Sequence, residues 1–217
     1  MEKLEKNPPE NGEIKIIVHS EPVSQQSKTN KKKNFKIRMK HIISEAEYYL
    51  SGDVHIDIQW YVHEQKHYES SSAYDVDNII KPLIDALSGK EGILIDDNQV
   101  KAINCCWIDF LEYNKEKIEI IIKFIPNEYI QKRTVYFVEF QNSLCLPVWN
   151  EDPPKIQKAF IETYEKSLNY RDDWSKKEKS YYVTKLIMPM QRVFHKSRLN
   201  GFIIRKLIDV KKELENT

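Results

Sequence analysis

The sequence lacks any apolar run close to the ~20 residues that cross a membrane, and its polar first residues contain no apolar signal-peptide region. It is also poor in cysteine, with three in total, of which Cys105 and Cys106 are adjacent. An odd number with this spacing excludes a disulfide framework and a C-x-x-C zinc site. We therefore expect a protein of a reducing cytoplasm that does not contact a membrane.

Excess charge of one sign is also missing, since 34 Lys+Arg stand against 33 Asp+Glu. Residues 1–125 carry 17 basic and 21 acidic residues, a net of −4, and residues 126–217 carry 17 and 12, a net of +5. The total neither requires nor excludes nucleic acid. One basic cluster, "KTNKKKNFKIRMK" (28–40), is either a solvated loop leading into a helix or an arm that contacts phosphates.

Of the 217 residues, 41% are apolar, which is enough for a sizeable core. The periodicity of these apolar residues predicts an α+β protein. We expect strands over 13–20, 53–64, 99–113 and 117–125, and helices over 35–50 and 78–89, where Asp77 or Asn78 is the N-cap and Pro82 lies near the helix start. This is a core of residues 13–125 with a mixed sheet and two helices. We expect residues 126–217 to form a mostly helical extension that contains one candidate strand, "TVYFVEF", and a helix over 174–196 that Pro189 kinks or splits.

The pattern H-E-x-x-H occurs once, at His63–His67, and on a helix it would suggest a zinc protease. Here it ends an alternating strand and is followed by "YESSSAYD", a poor helix former. In an extended chain the two histidines would lie about 13 Å apart, too far to share one metal. We therefore interpret them as exposed polar residues at a strand end.

Carboxylates are concentrated in "DVDNIIKPLIDALSGKEGILIDDNQV", residues 75–100. Asp77, Lys81 and Asp85 have the spacing i, i+4, i+8 of one helix face. The apolar segment Ile93–Ile95 runs directly into Asp96 and Asp97. Carboxylates that converge need a cation between them, and hard oxygen ligands suit Mg²⁺ or Mn²⁺. The alternative is a helix cap, a solvated row of ion pairs and an ordinary turn.

The spacing of these residues resembles the RusA-like Holliday junction resolvases over residues 13–125. The matching positions are Asp75, Asp77, Asn78, Lys81, Asp85, Asp96, Asp97 and Val100. The resemblance implies a homodimeric endonuclease that depends on Mg²⁺, with Mn²⁺ as the other candidate, and nicks four-way DNA junctions. It further implies that Asp75, Asp77 and Asp97 are the metal-binding catalytic carboxylates, that Asp96 belongs to the same metal site, and that Lys81 is the catalytic lysine.

With a nuclease in view, the basic cluster becomes a candidate DNA-binding arm through Lys31, Lys32, Lys33 and Lys36. A second hypothesis is a catalytically silent protein of the same fold that binds branched DNA or docks a partner. The resemblance does not extend to residues 126–217. Three roles are open for that region: a helical layer packed on the core, an added DNA surface, or a docking module for a protein partner.

Overall fold

A computed structural model of the protein describes residues 3–69, 75–112, 115–178, 181–188 and 191–215. The chain forms two compact units, Met1–Lys132 and Arg133–Thr217. Over the described residues the fold is α+β with mixed sheets and five helices, some of them in the C-terminal part, which confirms the predicted fold class. The helices are α1 Thr29–Ile43, α2 Glu64–Tyr68, α3 Val76–Leu87, α4 Pro154–Glu178 and α5 Leu207–Glu215. The strands are β1 Glu13–Val18, β2 Tyr48–Leu50, β3 Val54–His63, β4 Val100–Phe110, β5 Lys117–Phe124, β6 Tyr129–Gln131, β7 Val135–Glu139, β8 Leu144–Trp149, β9 Phe194–His195 and β10 Ile204–Lys206.

The first unit is built on a four-stranded sheet in the order β1-β5-β3-β4. The pairs β1–β5 and β3–β5 are antiparallel, whereas β3 and β4 are parallel. Parallel neighbours need a crossover connection, and the chain makes it through α2 and α3. The end of α3 therefore leads back to the beginning of β4, where Asp96 and Asp97 lie in the sequence.

The alternation predicted for the central strand is confirmed in β3. Its apolar positions, Val54, Ile56, Ile58, Trp60 and Val62, are all buried, and the polar residues between them are less so. One face of the sheet packs on the buried face of α3 in a single apolar core. Period-two burial of this kind holds the strand register, because a slip of one residue would turn every apolar side chain outward.

Both predicted ends of the first helix are wrong. The helix begins at Thr29, so the lysine run that was expected in a loop is helical. It ends at Ile43, since Tyr48–Leu50 form β2 and pair antiparallel with β6, Tyr129–Gln131. The pairing partner of β2 lies about 80 residues away along the chain, so no local pattern could indicate it.

The extended path predicted through His67 is also wrong. The strand ends at His63, whose Nδ1 accepts the Gln65 N–H at 3.2 Å and caps the short helix α2. His67 lies in that helix, with Nδ1 3.0 Å from the Asp109 Oδ1. The two rings thus have separate partners, which supports a structural interpretation of the H-E-x-x-H pattern. The expectation that both histidines are exposed is wrong for His63, of which only 6% is exposed.

Helix α3 begins earlier than predicted, at Val76 with Asp75 as its N-cap, so Pro82 is an interior residue. A proline inside a helix typically costs about 3 kcal/mol, because it has no N–H for the carbonyl four residues before it. That carbonyl belongs to Asn78, and the backbone N–H of Gln25 donates to it at 2.9 Å. The expectation that Pro82 would lie near the helix start is therefore wrong, and a loop supplies a donor where the helix cannot.

The second unit contains a second four-stranded sheet, in the order β10-β7-β8-β9, together with α4 and α5. The candidate strand "TVYFVEF" forms β7 at Val135–Glu139. The helix predicted over 174–196, kinked or split at Pro189, is wrong over most of its length: α4 ends at Glu178, a 3₁₀ turn spans Val183–Ile187, and β9 follows. The kink expected at Pro189 lies outside the described residues. A separate apolar cluster forms the core of this unit.

Within the described ranges, no helix is both long and apolar enough to span a membrane.

Candidate active site

The first component of the site is the exposed face of α3. This helix buries Ile79, Leu83 and Leu87 against the sheet, and this burial orients the opposite face outward. Asp77, Lys81 and Asp85 are exposed on that face, in the order that their spacing predicted. Packing of the apolar stripe thus fixes where the charged stripe points.

The second component is the segment that carries Asp96 and Asp97. The apolar residues before it, Ile93 to Ile95, are fully buried. The Leu87 carbonyl accepts the Ile93 N–H at 2.8 Å and the Leu94 N–H at 3.0 Å, and the Leu50 N–H donates to the Ile93 carbonyl at 2.8 Å. These bonds hold the segment to the end of α3, so the pair of aspartates is presented beside that helix.

Gln99 holds the turn in place, and sequence reasoning missed it. It is 0% exposed, and its Oε1 accepts the backbone N–H groups of Ile95 and Asp96 at 2.8 and 3.0 Å. Its Nε2 donates to the carbonyls of Leu50 and Gly52 at 2.7 and 2.9 Å. The D-x-x-Q spacing of Asp96 and Gln99 is a capping-box signature that could have revealed it.

Asp96 and Asp97 have different surroundings. The Asp96 carboxylate is buried, with 7% of the residue exposed, and accepts the Asn98 N–H at 2.8 Å as the N-cap of the 3₁₀ turn Asp97–Gln99. The Asp97 carboxylate is partly exposed and points toward α3. The Asp96 carboxylate thus stabilises the turn, and the adjacent Asp97 carboxylate makes a contact across the site.

Lys81 joins the two components. Its Nζ lies 2.9 Å from Asp97 Oδ2 and 2.8 Å from Asp85 Oδ1, and no ion pair joins it to Asp77 among the described residues. Hydrogen bonds to the Asp85 and Asp97 carboxylates raise the pKa of Lys81 above its ordinary value. The ammonium, which is charged at neutral pH even at the ordinary lysine pKa, lies between the helix and the turn.

Asp75 and Asp77 lie at the start of α3 with exposed side chains. Although Asp75 occupies the N-cap position, its side chain makes no capping hydrogen bond; its Oδ2 lies 3.5 Å from Nδ2 of Asn78. The Asp75 carboxylate therefore does not cap α3, whereas the Asp96 carboxylate caps the 3₁₀ turn.

No three His, Cys, Asp or Glu side chains in the described part of the chain stand close enough together to hold a metal ion. The donor chemistry nevertheless fits a hard divalent cation, because Asp75, Asp77 and Asp97 supply only carboxylate oxygens. The first two are on the exposed helix start, where side-chain rotation is unhindered by burial. The residues thus suit such an ion in kind, without forming a preassembled cage.

The lysines of the predicted DNA-binding arm divide into two pairs on α1. Lys31 pairs with Glu21 at 3.1 Å, and the Lys32 Nζ donates to the Gln25 carbonyl at 2.9 Å. Lys33 and Lys36 are exposed. Half of the cluster thus contacts the loop that precedes the helix, and the other half faces solvent.

The model of one protein family, endodeoxyribonuclease RusA, matches residues 3–123. The matched range covers more than half of the chain and includes α3, the Ile93–Gln99 segment and α1. No curated protein matches the chain. The chain therefore belongs to the RusA endodeoxyribonuclease family, the divalent-metal-dependent Holliday junction resolvases that act on branched DNA.

Proposed function

We propose that this protein resolves four-way DNA junctions by Mg²⁺-dependent phosphodiester hydrolysis, with Mn²⁺ as an alternative ion. The observation that carries the proposal is the Lys81–Asp97 contact of 2.9 Å, because it brings together two parts of the acidic motif that lie 16 residues apart. The alternative interpretation of these residues, a solvated helix face beside an ordinary turn, predicts no contact between the two segments.

In this proposal Asp75, Asp77 and Asp97 hold the metal through carboxylate oxygens. A bound divalent ion lowers the pKa of a water molecule and stabilises charge on phosphate oxygens. Lys81, which like an ordinary lysine is protonated at neutral pH, donates hydrogen bonds to the negative charge that develops on the phosphate. Asp96 remains a candidate member of the metal set, and its contact with the Asn98 N–H also shapes the turn that presents Asp97.

Two nicks related by symmetry are needed to resolve a four-way junction, and a two-fold homodimer would present two sites in that relation. We therefore propose a homodimer as the active form. Lys33 and Lys36 are exposed on α1 and would contact the DNA backbone directly. Lys31 and Lys32 would add positive charge while holding the adjoining loop.

The decisive experiment compares Asp77→Asn with Asp85→Asn in a nicking assay on a synthetic four-way junction with Mg²⁺. Asp77→Asn removes a proposed ligand and should abolish nicking, whereas junction binding should persist because phosphate contacts remain. Asp85→Asn makes the same chemical change on the same helix face, two turns further on, and should keep most of the activity.

Nicking by Asp77→Asn at the wild-type rate would disprove the ligand assignment. A wild-type protein that binds junctions but nicks none of them with Mg²⁺ or Mn²⁺ would favour the silent DNA-binding alternative. The two outcomes are separable, because binding is measured without metal and cleavage with it.

A further inference from the structure

Proline is the least favourable residue in a helix interior, yet Pro82 lies in the middle of α3, one residue after Lys81. Nothing in the apolar packing of the helix calls for it, since the buried positions on either side of it are Ile79 and Leu83. A residue that is unfavourable in its own helix indicates a compensating favourable interaction elsewhere in the structure. The hydrogen bond accepted by the Asn78 carbonyl identifies this compensating interaction.

Because Pro82 has no N–H, the Asn78 carbonyl lacks its donor within the helix. The Gln25 N–H fills that position from outside, at 2.9 Å. Asn78 lies between Asp77 and Lys81 in the sequence, so the loop is attached to the part of α3 that carries the proposed catalytic residues.

Gln25 has a second contact through its own carbonyl, which accepts a hydrogen bond from the Lys32 Nζ at 2.9 Å. The rest of the loop is bound to α1 in the same way: Arg38 donates to the His19 carbonyl at 3.0 Å, and Lys31 pairs with Glu21. The loop also contains a turn in which the Ser24 N–H donates to the Ser27 Oγ at 3.0 Å. The loop of residues 19–28 is therefore a bridge from the basic helix α1 to the acidic helix α3.

We propose that Pro82 is a positioning residue that attaches this loop to α3. Together with the packing of α1 and α3 in the same apolar core, this attachment sets the distance between the lysines of α1 and the carboxylates of the site. The inference rests on the proposed nuclease function for its consequence in catalysis, and on backbone geometry alone for its structural part. A phosphate held by α1 is then placed in a defined position relative to Asp77 and Asp97. Pro82 itself touches no substrate.

The test is Pro82→Ala in the full-length protein. The substitution introduces an amide that competes with the Gln25 N–H for the Asn78 carbonyl, while it removes an unfavourable residue from the helix. We expect a melting temperature that is unchanged or higher. Hydrogen exchange of the free protein over residues 21–28 should become about three- to tenfold faster, which corresponds to one net hydrogen bond.

In junction nicking we expect KM to rise by a similar factor of about three to ten with kcat unchanged. The reason is that the contact between the α1 lysines and the DNA phosphates is weakened equally in the ground and transition states. A purely structural proline would move neither the exchange rate of the loop nor KM. Thr163→Ala is the matched control, since it also improves helix propensity on an exposed face, in α4, far along the chain from the loop. It should leave hydrogen exchange over residues 21–28 unchanged.

Unchanged exchange over residues 21–28 in Pro82→Ala would overturn the proposal, whatever the activity. Faster exchange with an unchanged KM would overturn the link to α1 and DNA. Absence of nicking by the wild-type protein would instead count against the proposed function, and KM would then be replaced by the Kd for the same junction measured without metal.

Discussion

Lys81 has two carboxylate partners, Asp85 one turn along its own helix and Asp97 on the neighbouring turn. The first contact is a common i, i+4 pair on an exposed helix face, worth only ~0.3–0.5 kcal/mol. The second crosses the site and depends on the tertiary structure. The function proposed for Lys81 depends on the second contact, because only that contact brings its positive charge to a proposed metal ligand.

Lys81→Ala should lower kcat for junction nicking much more than it changes junction affinity, because charge stabilisation is stronger in the transition state. The free energy of unfolding should fall by no more than about 0.5 kcal/mol, since the lysine side chain is about half exposed. Rate and thermal melting are measured on the same preparation. Asp85→Ala serves as the control, since it removes the helix-face pair and leaves the Asp97 contact in place; activity retained by both variants would refute a catalytic role for Lys81.

Among the structural elements, the segment Ile93–Gln99 decides where the acidic residues stand. Its backbone bonds to Leu87 and Leu50 hold it between the end of α3 and β2, and Gln99 satisfies four backbone groups at once. Gly92 is required at its start, because a Cβ there would lie 2.1 Å from the Leu87 carbonyl oxygen. An apolar run, a glycine and one buried amide thus form a rigid support for Asp97.

Gln99→Leu should destabilise the protein by on the order of 3–5 kcal/mol, because an apolar side chain leaves several buried backbone donors and acceptors without partners. Chemical denaturation measures this loss, and nicking assayed well below the melting temperature should also fall as Asp97 loses its fixed position. Asn98→Ala, an exposed change in the same turn, is the control and should cost far less. A stability loss under about 1 kcal/mol in Gln99→Leu would contradict the assigned role of the amide.

At the scale of the whole molecule, the two units differ in charge and in relation to the family. The family match ends at residue 123, within the first unit. Residues 133–217 carry 16 basic and 11 acidic residues, a net of +5, which follows from the +5 of residues 126–217 after removal of Glu128 and Lys132. We propose one of three roles for this second unit: a layer packed on the core, an added DNA surface, or a docking site for a protein partner.

The salt dependence of junction binding distinguishes these roles. A fragment that ends at Lys132 keeps β6 and its buried Ile130, whereas one that ends near Asn127 removes them and should be less stable. If the second unit contacts DNA, the fragment ending at Lys132 should retain metal-dependent nicking but bind more weakly. Its log–log salt slope should be shallower by about 0.9 for each phosphate that the second unit neutralises in the full-length protein. An unchanged slope would favour a protein partner, and an insoluble fragment would favour a packing role.

The sequence by itself determined the features that depend on local periodicity and spacing. The alternation of β3, the two stripes of α3 and the acidic motif could all be predicted, because neighbours at i+2 or i+4 create them. Only the tertiary structure decided that Lys81 meets Asp97, that Tyr48–Leu50 leave the helix to pair with β6, and that Gln25 supplies the donor missing from Pro82. These contacts join residues far apart in the chain, so their energies appear only once the sheet and its crossover have brought the partners together.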